Sequence, residues 1–128
     1  MFTIDQIKEA HAKVKSGADF PAYVKEIIAL GVKKYDAFVS DGHCLYYGDN
    51  GFQVASNPKY SYIEVASESD ADTFRHNLKI HQQGQTDYPT FCRHSAESGV
   101  EKWTVDTVAL TCTYYDKAGN DMLTEIIP

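Results

Sequence analysis

Asp19-Phe20-Pro21-Ala22-Tyr23 returns 68 residues later as Asp87-Tyr88-Pro89-Thr90-Phe91, and the stretches that these motifs open decide the fold. Residues 19–51 and 87–119 align without a gap. Gly31-Val32-Lys33-Lys34-Tyr35 stands against Gly99-Val100-Glu101-Lys102-Trp103, and Cys44, Tyr46, Tyr47 and Gly51 stand against Cys112, Tyr114, Tyr115 and Gly119. Nine positions are identical, and others exchange within type, as Lys25 does for Arg93 and Tyr35 for Trp103. A match that joins turn, helix and strand positions predicts an internal duplication, with halves of about 1–66 and 67–128. Units this short bury too little apolar surface to stand alone, so the reading is one domain, 1–128, whose halves share a core.

Thr3-x-x-Gln6 has the spacing of a capping box, and Ile4, Ile7, His11 and Val14 follow on one helical face, with Gly17 as the stop. Asp19-Phe20-Pro21 starts a second helix, because proline suits the first turn and an acid there complements the helix dipole. Its buried face is Tyr23, Val24, Ile27 and Ile28, and Gly31 ends it. The period then changes to that of strands: Tyr35 to Val39, His43 to Gly48 after the Asp41-Gly42 turn, Phe52 to Val54 after Asn50-Gly51, and Tyr60 to Val65 after Asn57-Pro58. A third helix carries Phe74, Leu78 and His81 on one face, capped from within Ser67 to Asp70. A fourth opens at Asp87 and stops at Gly99. Strands follow at Trp103–Val105, Ala109–Tyr115 and Met122–Ile126. The predicted order is ααββββααβββ, an α+β domain with a mainly antiparallel sheet and its helices on one face.

Composition excludes several classes. A formal net charge of −6, with the lysines dispersed, argues against nucleic acid as a partner, since that binding runs on phosphate neutralisation. No apolar run is long enough to span a membrane, and the first residues lack the basic and apolar segments of an export signal, so the expected location is cytoplasmic. Reduced thiols are then the default for Cys44, Cys92 and Cys112, although the equivalent Cys44 and Cys112 would be candidates to meet across a pseudo-dyad. Metal ligation finds no support: His76 and His81 are off-face on a helix, and His43-Cys44 and Cys92-x-His94 are too close to chelate. No phosphate loop, nucleophile elbow or paired-carboxylate motif is present, and no cofactor is expected.

Two groups of residues carry candidate chemistry. His81, Asp87, Tyr88 and Cys92 gather around the junction of the third and fourth helices, where a thiol near a helix N-terminus beside a histidine would make a nucleophile pair. A hydrogen-bonded rim histidine and a buried, inert cysteine explain the same residues without catalysis. Cys92, Ser95 and Ala96 replace Val24, Ile27 and Ile28, which leaves either room for a pocket in the second half or a differently packed core. In the Tyr46-Tyr47 and Tyr114-Tyr115 pairs one tyrosine must meet the helices and the other the open sheet face. Tyr47 and Tyr115 are therefore candidates for a binding surface, with Gln83 and Trp103 as further binding candidates; plain β-propensity is the competing explanation.

The run His81-Gln82-Gln83-Gly84-Gln85-Thr86-Asp87-Tyr88-Pro89-Thr90-Phe91-Cys92, together with Thr111-Cys112-Thr113-Tyr114-Tyr115-Asp116-Lys117-Ala118-Gly119-Asn120, Gly17-Ala18-Asp19-Phe20-Pro21 and the ending Glu125-Ile126-Ile127-Pro128, resembles the YbcV-like family of small bacterial and prophage-encoded proteins, often labelled "phage envelope protein". The resemblance covers nearly the whole chain. It implies a compact α+β domain of bacterial or prophage origin and brings no catalytic role with it. The resulting expectation is a binding or interaction protein without catalytic activity, monomeric or homodimeric, whose partner is a protein or a small molecule. The rival is a small enzyme that uses the His81, Asp87, Tyr88 and Cys92 set.

Overall fold

Local sequence signals start each helix in the computed structural model, which describes residues 2–15 and 17–128; Met1 and Ser16 lie outside the described residues. Helix α1, Ile4–His11, begins with a capping box: the Gln6 N–H donates to Thr3 Oγ1 at 3.2 Å and the Thr3 N–H to Gln6 Oε1 at 2.8 Å. It closes at His11, with Ala12 as its C-cap, so Val14 and Gly17 fall beyond it. A 3₁₀ turn, Gly17–Asp19, leads into α2, Phe20–Leu30. Asp19 does not cap α2, because its carboxylate accepts the Lys15 N–H at 2.9 Å. Ile28, expected on the buried face of α2, is 43% exposed, while Tyr23, Val24 and Ile27 are buried. In the second half Asp70 caps α3, Ala71–Gln82, and Asp87 caps α4, Tyr88–Glu97.

The strands are β1 Lys34–Phe38, β2 Cys44–Tyr47, β3 Gln53–Ala55, β4 Val100–Asp106, β5 Thr111–Asp116 and β6 Asp121–Ile126. They form one sheet in the order β3-β2-β1-β4-β5-β6, and every neighbouring pair is antiparallel. The chain is thus an α+β fold with helices ahead of each run of strands. One predicted strand is absent. Residues 56–70 form an irregular crossing segment whose backbone bonds go to a turn and to the end of α4: Lys59 N–H donates to Asp41 O, Ile63 N–H to Ser40 O, Ala66 N–H to Ala96 O and Asp70 N–H to Ser98 O. Tyr60 to Val65 alternate because Val65 is buried and Tyr60 reaches inward to Val39 O, not because they pair in the sheet.

The two halves meet at the β1·β4 seam with matched register. Asp36 pairs with Thr104, the residue 68 positions later, and the flanking bonds are mates of each other: Val39 N–H to Glu101 O at 3.0 Å and Thr107 N–H to Lys33 O at 3.1 Å. Aromatic stacks repeat across the seam. Tyr35 lies 6.5 Å from Tyr23 and 5.2 Å from Tyr46, while Trp103 lies 5.8 Å from both Phe91 and Tyr114. One hydrophobic cluster takes residues from both halves, from Phe2 to Ile127. The three cysteines are buried and free. Cys44 and Cys112 cannot pair, because β2 and β5 are three strand spacings apart, about 14 Å, against a disulfide Cα reach of about 7 Å.

Candidate functional site

The sheet has a covered and an open face. Tyr46 and Tyr114 point into the core, and their neighbours Tyr47 and Tyr115 lie half-buried on the open face. Each of the latter is held by a lysine at the equivalent strand position: Lys34 Nζ is 4.7 Å from the Tyr47 ring centre and Lys102 Nζ is 5.6 Å from that of Tyr115. At the seam between them sits Asp36, only 5% exposed although it faces outward. Thr104 Oγ1 donates to its Oδ1 at 2.6 Å, Tyr47 Oη to its Oδ2 at 3.4 Å, and Lys102 Nζ lies 3.6 Å away. His43 stacks on Phe38 at 4.5 Å and bonds to the Asp41 carboxylate, whose pKa its hydrogen bonds and charge hold below the ordinary value. On the open face Asp36 is thus held by Thr104, Tyr47 and Lys102, while Lys34 rests on the Tyr47 ring.

The second-half set is placed differently. Asp87 spends its carboxylate on the Thr90 N–H at 2.9 Å, and these bonds lower its pKa. His81 stacks on Phe91 at 4.4 Å and its Nδ1 lies 3.1 Å from Thr86 O and Oγ1. Cys92 is the fifth residue of α4, past the turn in which a helix N-terminus lowers a thiol pKa. Burial pushes its thiol up, and bonds from Tyr60 and Tyr88 only partly offset this. Tyr88 leaves 40% of its surface exposed, yet its hydroxyl reaches the Cys92 thiol, and burial raises its pKa. Gln83 is exposed at the end of α3, where its Oε1 accepts from Gln85 Nε2, and Trp103 packs on the covered side between Phe91 and Tyr114. Neither shares a surface with Tyr47 or Tyr115. The room left by the small face of α4 is filled by the crossing segment: Val65 is buried, Ala66 bonds to Ala96, and Tyr60 lies beside Cys92.

The first half instead holds a cavity that sequence reasoning missed. It is about 360 Å³, walled by α1 on one side and residues 56–59 on the other, with Tyr46 as part of its floor. Ile4, Ile7, Ala12 and Pro58 make its apolar lining, and Lys8, His11 and Lys59 its basic one. The opposite half explains the empty space. Both N-caps match at a spacing of 67, Thr3 to Asp70, which sets Ile7 against Phe74 and His11 against Leu78. Phe74 is fully buried with its ring 4.8 Å from that of Tyr114. Ile7 has no ring to lay on Tyr46, and the cavity remains. The signal was present in the sequence, in the exchange of an aromatic for an aliphatic residue at one aligned helix position. Burial, and then the charge of Lys59, lower the His11 pKa. Among the described residues no group of histidine, cysteine and carboxylate side chains is arranged to hold a metal ion, and no helix is long and apolar enough to cross a membrane.

No curated protein matches the chain. A family model described as protein of unknown function, DUF1398, matches residues 8–126. With nearly all of its length inside that match, the chain belongs to the DUF1398 family of proteins of unknown function.

Proposed function

We propose that this protein is a non-catalytic binding protein that takes a small organic molecule in the cavity between α1 and residues 56–59. One observation carries the reading: Tyr46 and Tyr114 are equivalent, yet only Tyr114 has a phenylalanine laid on it, so the first half keeps a concave, mostly apolar space with convergent polar groups. Against catalysis by the second-half set stands its chemistry. A Cys92 thiol with a raised pKa is a poor nucleophile, and it lies beyond the first turn of α4, where the helix N-terminus would have activated it. The test is a titration of benzoate, benzyl alcohol and benzylamine followed by amide chemical shifts. Shifts that cluster at Ile7, Tyr46, Ser56 and Lys59, and that vanish in Ile7→Phe, are the expected result. Shifts gathered elsewhere, or none with any probe, would remove the cavity as the site.

A second reading rests on the open face, as an interface with a second copy of the chain. In a chain of net charge −6, this face sets Lys34 and Lys102 against Asp36 and Asp106, so two copies would repel least there. Its tyrosines are already ordered by their lysines, which lowers the entropic cost of contact. Sedimentation equilibrium would then give a dimer that Tyr47→Ser with Tyr115→Ser converts to a folded monomer. A wild-type monomer at 100-fold dilution steps up to the solubility limit would exclude it. We further propose that the protein works in the cytoplasm, that its halves descend from one duplicated unit, and that it is akin to the YbcV-like, prophage-associated proteins.

A further inference from the structure

The cavity has a charge character at odds with the rest of the molecule. The chain carries 18 acidic residues against 12 lysines and arginines, yet the ten residues that line this space include two lysines and a histidine and no carboxylate. Lys8 comes from α1 and Lys59 from the crossing segment, so the two lysines belong to opposite walls. Neither has a carboxylate within ion-pairing distance among the described residues, whereas Lys13, Lys33 and Lys102 each do. Between these cations the lining is apolar, supplied by Ile4, Ile7, Tyr46 and Pro58. At about 360 Å³ the volume lies near the lower end of small-molecule sites, which admits one short chain or one ring system.

Resting on the reading of this cavity as the binding site, we propose that its ligand is a small amphipathic monocarboxylate, with its apolar body against Ile4, Ile7 and Tyr46 and its carboxylate between Lys8 and Lys59. One carboxylate offsets part of the charge of the two ammonium groups, which a neutral or cationic ligand could not do. The polar head then stays at the rim, partly in water, and the body displaces poorly held water from an apolar floor. His11 belongs to the same rim. A bound carboxylate beside it favours the imidazolium and raises its pKa from the lowered value of the free protein.

Decanoate and decanol, equal in chain length and different in charge, test the assignment on the full chain. Calorimetric titration, with amide shifts to locate binding, should give decanoate at the cavity about tenfold tighter than decanol or better. Lys8→Gln and Lys59→Gln should each weaken decanoate about two- to fivefold and leave decanol unchanged. Decanoate should also move the His11 titration, read from its ring proton shift, to higher pH. Decanol binding at the cavity as tightly as decanoate would overturn the ligand class while the site stood. Failure of both to shift Ile7, Tyr46 and Lys59 would overturn the site and the class together. Decanoate shifts confined to other surfaces would overturn the proposal as well. The lysine variants lie on the exposed surface and leave the core untouched, so the comparison does not depend on a core substitution that folds poorly.

Discussion

Gly31 and Gly99 occupy matched positions at the ends of α2 and α4, both with left-handed backbone, φ +104° and +88°, and alanine at each isolates one physical difference. Holding a side chain in that region costs about 1–2 kcal/mol at either site. At Gly31 a new Cβ would find only Phe2 Cδ2 at 3.8 Å, an ordinary contact. At Gly99 it would stand 2.4 Å from Glu68 O and 2.9 Å from Ser69 Cα, both backbone atoms. The crossing segment cannot step aside freely, since Asp70 N–H is bonded to Ser98 O at 2.8 Å and Ala66 N–H to Ala96 O at 2.9 Å. Displacing it weakens one or both bonds, at about 1 kcal/mol each, and adds overpacking of about 1–3 kcal/mol. Gly31→Ala should therefore lose about 1–2 kcal/mol and Gly99→Ala about 3–7 kcal/mol. Urea unfolding, followed by the fluorescence of the single tryptophan and by far-UV circular dichroism, would measure both. Equal losses within about 0.5 kcal/mol would refute the claim that the crossing segment is pinned against α4.

Other expectations follow from the same geometry. Asp36→Ala should destabilise by about 2 kcal/mol, because Lys102 and Thr104 lose their partner at a nearly buried position; a change below about 0.5 kcal/mol in urea would show the group to be solvated. Burial raises the thiol pKa of Cys44 and Cys92 and takes that of Cys112 to about 12, so iodoacetamide should label all three slowly until the protein unfolds. Rapid labelling of Cys92 alone would revive the nucleophile. Because the His11 pKa is lower in the folded state, its stabilising contribution is complete above about pH 6.5 and is lost as pH falls through the folded value. Stability measured between pH 7 and 5 should then decline less steeply in His11→Gln than in the wild type, and identical slopes would contradict the assignment. Ile7→Phe, which copies Phe74 into the first half, should keep the fold while closing the cavity to benzyl alcohol; retained binding would show that Ile7 does not control that space.

What could be read from the chain was whatever a few neighbouring residues decide. Thr3 with Gln6, Asp70 and Asp87 start helices through bonds that span three residues, and the alternation of Cys44 to Tyr47 sends Tyr46 inward and Tyr47 outward. Tyr60 to Val65 misled because alternation reports only that one side is buried, not what covers it. Here the partners are a turn at Ser40 and Asp41 and the end of α4, brought together only by the finished fold. The small α4 face of Cys92, Ser95 and Ala96 is plain in the sequence, but the segment that fills it lies some thirty residues earlier. The cavity needed a comparison across both halves with a one-residue slip, and its size depends on how fully a neighbour's side chain occupies a shared space. Such a quantity has no local signature.

The Asp36–Thr104 pair has a consequence for how the halves recognise one another. A symmetric assembly of two first halves would set one aspartate directly opposite another on the axis, two like charges in a nearly buried place. Two second halves would set threonine against threonine, with no acid at the centre of the seam where Asp36 now meets Thr104 and Lys102. Only the mixed pairing supplies one acid, one hydroxyl and one ammonium to the same spot. The seam therefore favours a first half meeting a second half over either meeting its own kind, and it does so whether the two belong to one chain or to two.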